Sequence, residues 1–100
     1  MELKLNINGL DTTFVTPFLS ARKLRETIVI SEKLQKEEMT PEQIDTMADY
    51  VVDIFGSKFT RDQLYDGLAS NELLLTITNC ISTVMGNLNT KVEALADPNV

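Results

Sequence analysis

Cys80, Asp62 and Asp66 are the side chains of this sequence whose type and position could do covalent or acid–base chemistry. Cys80 would act as a nucleophile or metal ligand, and the two aspartates, four residues apart, as a general acid and base or as cation ligands. Each reading lacks its partner. The chain has no His, so neither a Cys–His nor a Ser–His pair can be built, and the commonest metal-binding side chain is missing. Cys80 is the single cysteine, which excludes an internal disulfide and a cysteine cluster for zinc. Its neighbours Thr78, Asn79, Ile81 and Ser82 carry no charge that would favour a thiolate, so it is expected to fill core. Asp62 and Asp66 stand beside turn and cap residues, where carboxylates serve helix starts, and Asp62 to Gly67 lacks the alternating ligands of a calcium loop. The glycines have no phosphate-cradling spacing. No catalytic residue, cofactor or metal site is predicted.

Residues that could bind another protein are better represented. Glu38, Glu42, Asp45, Asp49 and Asp53 recur every three or four positions, which lines them along one helical face. Such a stripe is either a solvated outer surface or one half of a self-association contact. The other half would be Arg22, Lys23 and Arg25, since opposite patches on one molecule steer identical copies head to tail into rings or spirals. Ile77, Ile81, Val84 and Leu88 form an apolar stripe that fills this domain's core or meets a partner helix. Leu73, Leu75 and Met85 widen that apolar area beyond one stripe, so part of it is expected to stay exposed. Tyr65 is either a packed ring with a wet hydroxyl or an interface anchor.

The elements that position these residues follow from periodicity and caps. Leu3, Leu5 and Ile7 alternate with polar residues, Asn8-Gly9 supplies a tight turn, and Thr12 to Thr16 is β-branched and aromatic, which predicts a β-hairpin over residues 1–17. Its apolar side, Leu3, Leu5, Ile7 and Phe14, needs cover, because an isolated hairpin is marginal in water. A first helix is predicted from Ser20, a potential cap, to about Lys36, with Leu24, Ile28 and Leu34 inward and Ile30 off the stripe. Thr40-Pro41-Glu42-Gln43 starts the second, with Thr40 as cap, Pro41 at the first helical position and Gln43 completing the capping box. Ile44, Met47, Ala48, Val51, Ile54 and Phe55 are its buried face, and Gly56 stops it. Thr60 and Gln63 open a short helix to about Leu68 that buries Leu64 and Leu68. Ser70 and Glu72 open the last and longest, with Leu74, Ile77, Ile81, Val84, Leu88 and Leu95 inward and Lys91 breaking the stripe. Its many β-branched residues leave a strand as the alternative there. The fold class is α+β, mostly α: an N-terminal β-hairpin and about four helices in a small bundle. One domain spans 1–96, and residues 97–100 are expected to fray.

At 100 residues the chain suits one domain, and 43% apolar with 24% charged residues is an ordinary globular balance. The net charge of −6, from 15 acids and 9 bases, repels phosphate backbones and anionic lipid alike. Nucleic acid and membrane are therefore not expected partners. A DNA reader on the Thr60 to Leu68 segment would have only Lys58 and Arg61 nearby. The start, Met1-Glu2-Leu3-Lys4, has no basic region leading into an apolar run, and no window approaches the roughly 18 apolar residues of a membrane span. A cytoplasmic, reducing location is expected.

The spelling Phe59-Thr60-x-Asp62-x-x-Tyr65-Asp66-Gly67-Leu68, with the strand pair around Asn8-Gly9 before it and a long helix after it, resembles the tail assembly chaperones of long-tailed, non-contractile bacteriophages of Gram-positive hosts. The resemblance implies a non-enzymatic protein that binds the long, hydrophobic tape measure protein, keeps it soluble in the host cytoplasm and is absent from the finished virion. It also implies that a longer, frameshifted form recruits tail tube protein. Acyl carrier proteins are small, acidic and helical too, but Gly67 stands where their prosthetic-group serine would be. The rival reading is an acidic helical adaptor that binds one folded partner.

Overall fold

The computed structural model describes residues 1–86. β1 (Glu2–Ile7) and β2 (Leu10–Val15) pair antiparallel within the chain, setting Leu3 opposite Phe14, Leu5 opposite Thr12 and Ile7 opposite Leu10. Asn8 and Gly9 make the two-residue loop with φ of 55° and 84°, the left-handed pair that matches hairpin twist. Alternation then sorts the faces: Leu3 and Leu5 are buried, while Glu2, Lys4 and Asn6 meet solvent.

Four helices follow: α1 (Ala21–Lys36), α2 (Pro41–Ile54), α3 (Arg61–Gly67) and α4 (Leu73–Met85), the last entered through a single 3-10 turn over Ser70–Glu72. The predicted starts are realised unequally. At α3 the capping box is complete, with Gln63 N–H donating to Thr60 Oγ1 at 3.1 Å and Thr60 N–H to Gln63 Oε1 at 2.9 Å. At α2 only half of it forms: Gln43 N–H donates to Thr40 Oγ1 at 3.1 Å, but the Thr40 N–H is taken by the Glu38 carbonyl at 3.0 Å. The Gln43 side chain, left without that donor, turns inward, where its Nε2 has no partner among the described residues. Neither Ser20 nor the Ser70 turn caps with a side chain. The end of α2 is a Schellman turn, with Ser57 N–H on the Val52 carbonyl at 2.9 Å and Gly56 N–H on the Asp53 carbonyl at 3.0 Å. Gly56 takes the φ of 74° that this turn requires.

α2 is the centre, packed against α1, α3 and α4, and α3 in turn lies on β1. Met47, Ala48, Val51, Ile54 and Phe55 are buried as the stripe predicts; Ile44 is half-buried, and Tyr50 joins the core. The rings of Phe14, Phe59 and Phe55 pack in series, tilted against one another at 4.8 Å and 5.7 Å between centroids, and tie hairpin to bundle. Gly67 is a point of close approach: a Cβ there would stand 2.7 Å from the Asn6 carbonyl oxygen.

Two stripes differ from expectation. On α1 the buried residues are Thr27 and Ile30, while Ile28 is exposed. The inward face is centred on Thr27, whose Oγ1 donates to the Lys23 carbonyl at 2.7 Å and therefore accepts from the Tyr50 hydroxyl at 2.6 Å. On α4, Thr76, Ile77 and Cys80 are buried and Leu74 faces out. Small side chains at 76 and 80 suit a helix that packs on both α1 and α2. The described part of α4 has 13 residues against 16 for α1. Leu88, Lys91, Leu95 and the expected frayed end lie outside the described residues.

Candidate functional site

Cys80 is placed apart from Asp62 and Asp66, which share one face of α3. Cys80 is fully buried in the core, and burial pushes its thiol up to about 12, far from a reactive thiolate. Asp62 and Asp66 are exposed on α3 beside the hairpin tip, with Asp62 in the first helical turn, where a carboxylate favours the helix dipole. Among the described residues no group of three or more His, Cys, Asp or Glu could hold a metal ion, and no helix is long and apolar enough to cross a membrane.

Among the described residues, two hollows are mainly apolar. The first lies between α2, α3 and the entry to α4, has a volume of about 350 Å³ and is lined by Ile44, Leu64, Tyr65, Leu68 and Leu73. Tyr65 is fixed at its wall: the half-buried hydroxyl donates to Asp45 Oδ1 at 2.5 Å. Burial first, and the carboxylate of Asp45 second, push this phenol up to about 12, so it stays a donor. Just beyond Leu73, α4 turns Leu74 and Leu75 to solvent, 49% and 59% exposed.

The second hollow, about 520 Å³, runs between α1 and α2. Val29, Ile30 and Tyr50 give it apolar walls, and Glu26, Asp49 and Asp53 ring it. Burial holds the Tyr50 phenol at about 12, so it too remains protonated. Lys23 binds Asp53 and, at 3.3 Å, Glu26; the bond to Asp53, with burial opposing, raises its pKa. Arg61 reaches Asp49 at 3.1 Å, a surface pair that contributes little to stability.

Of the residues singled out for self-association, Lys23, Asp49 and Asp53 are thus engaged within the chain, and Asp45 holds Tyr65. Glu42 is exposed in the first turn of α2, and Arg22 and Arg25 are exposed and in no ion pair among the described residues. Of the apolar candidates, Ile77 is fully buried, Ile81 and Val84 are half-buried against the core, and Leu88 lies outside the described residues. Sequence reasoning passed over Val29 and Tyr50, because a groove wall set by two helices has no periodic mark on either one.

Among the described residues the mainly apolar concave surfaces are thus a hollow beside Tyr65 and a groove ringed by acids, on a hairpin-and-helix fold. A family model described as phage tail chaperone protein matches residues 1–98, and the chain belongs to that family. No curated protein and no solved structure matches it. The resemblance expected from the sequence is borne out at the level of the family, and membership supports a tail assembly chaperone role.

Proposed function

We infer that this chain is a non-enzymatic chaperone that binds the tape measure protein of a bacteriophage tail and keeps it soluble during assembly. It works as a homo-oligomer in the host cytoplasm and is absent from the finished virion. The family match over residues 1–98 carries this reading. The hollow beside Tyr65, with Leu74 and Leu75 turned outward near it and Ile81 and Val84 half-buried further along α4, fits a client whose helices bear apolar stripes. Each such contact is small, so many copies along one long client gain their hold from linkage. The net charge of −6 keeps the coated complex dispersed. A longer, frameshifted form of the chain would bring tail tube protein to the same complex.

Co-expression with the tape measure protein tests the reading. The client is expected in the soluble fraction with the wild-type chain and largely in the pellet with Leu74→Ser/Leu75→Ser, a pair of exposed positions whose change leaves the fold intact. A client equally insoluble with and without the wild-type chain refutes it.

A further inference from the structure

Phe18 is 92% exposed, the most exposed large apolar side chain among the described residues. It does not sit on a loose loop. Pro17 before it lies against Gly56, where an added Cβ would be 3.3 Å from the Pro17 ring, and Leu19 after it is half-buried against the core. The ring is therefore held out by an anchored segment, which lowers the entropy cost of docking it. Arg22 and Arg25, two exposed cations without an ion pair among the described residues, follow on the first turns of α1.

The facing surface lies further along the same helix: the α1–α2 groove, with Val29 52% exposed at its wall and Glu26, Asp49 and Asp53 around it, three acids that share the two cations Lys23 and Arg61 and so leave the rim net negative. A shallow hollow lined by Arg22, Arg25, Glu26 and Val29 joins the two patches. Arg22 and Val29 are about 10 Å apart along the helix axis. The molecule measures 29 × 24 Å in its two shorter directions, so two neighbours cannot dock side by side on patches this close. One neighbour must take both.

We propose that two copies of this chain pair through antiparallel α1 helices, each seating its Phe18 in the other's α1–α2 groove. Reciprocity fixes the register. Arg22 against the partner's Glu26 sets the twofold axis at position 24 of α1, so the contact repeats when the copies are exchanged, as an isologous interface demands. Phe18, which precedes α1, then reaches along the partner's helix to the Val29 and Ile30 wall of its groove. The inference rests on the homo-oligomeric reading above and gives it a building block.

Sedimentation of the full-length chain over a concentration series tests the pairing. The wild-type chain is expected to reach twice its monomer mass. Phe18→Ser, at a position that contributes nothing to the core, keeps the wild-type melting temperature and weakens the dimer roughly 100-fold, because each dimer loses two buried rings. Arg22→Glu and Glu26→Arg each sediment as monomers alone, since each sets like charges across the axis; mixed in equal amounts they form a heterodimer, since every pair across the axis is then opposite. A wild-type chain that stays monomeric, a Phe18→Ser chain that pairs as tightly as wild type, or a mixture that remains monomeric overturns the proposal. If the pairing fails while the wild-type chain still carries tape measure protein into the soluble fraction, the chaperone reading stands and only this interface falls.

Discussion

Gly67→Ala isolates the contact on which the hairpin's place depends. Gly67 has no left-handed φ, so alanine fits its backbone, and all the cost comes from what the new methyl meets. It would stand 2.7 Å from the Asn6 carbonyl oxygen, 3.2 Å from the Asn6 nitrogen and 3.2 Å from Leu5 Cβ. A carbon and an oxygen ordinarily approach to about 3.3 Å, so α3 and β1 must separate by roughly 0.6 Å. Two of the three atoms are backbone, and no rotamer change relieves them. Overpacking of this kind costs about 1–3 kcal/mol, and the better helix propensity of alanine returns at most about 1 kcal/mol at a helix end. A net loss of about 1–2 kcal/mol lowers the melting temperature by roughly 5–15 °C in a domain of this size. Thermal unfolding followed by circular dichroism reads it directly. A melting temperature equal to or above that of the wild-type chain would show that α3 and β1 do not touch as described.

Gln43→Met should raise the melting temperature by about 4–8 °C, because a buried amide without a partner costs at least about 1 kcal/mol and methionine fills the same space. A lower melting temperature would mean that the amide has a partner. Cys80, Tyr50 and Tyr65 all have folded-state pKa values pushed up to about 12, from ordinary values of 9.0 for the thiol and 10.0 for the phenols. A raised pKa gives stability that is complete below the unfolded value and is lost as pH rises through the folded one. Urea midpoints should therefore hold steady up to about pH 8 and fall between about pH 9 and 12, and in Cys80→Ala the fall should begin nearer pH 10. An onset unmoved by that substitution refutes the burial of the thiol.

The elements were readable where one local rule decides them: the Asn8-Gly9 hairpin, the starts at Thr40 and Thr60, the stop at Gly56 and the stripe of α2. The misread positions are those where a second element decides. Thr27 is inward because the Tyr50 hydroxyl is there to meet it, and no count of apolar residues on α1 includes a threonine. Leu74 is misread because Thr76, together with Cys80, which fills core as expected, takes the inner face of α4 where two neighbouring helices leave room for small side chains. The Gln43 side chain lost its capping role to a carbonyl two residues before Thr40. Gly67 reads as a motif letter in sequence, and its reason, the backbone of Asn6, lies across the fold. Charge patterning marked the acid stripe of α2 but could not tell that Lys23 would close on Asp53 of the same molecule.

The docking of β1 on α3 sets an order on synthesis. The hairpin leaves the ribosome ahead of Gly67 and Leu64 on the helix that covers it, which follow about 60 residues later, an interval of roughly 3–12 s at ordinary translation rates. Through that interval the nascent chain trails an uncapped greasy ribbon of Leu3, Leu5 and Ile7. Docking of the ribbon therefore waits on α3, and the hairpin's final place is settled late in synthesis.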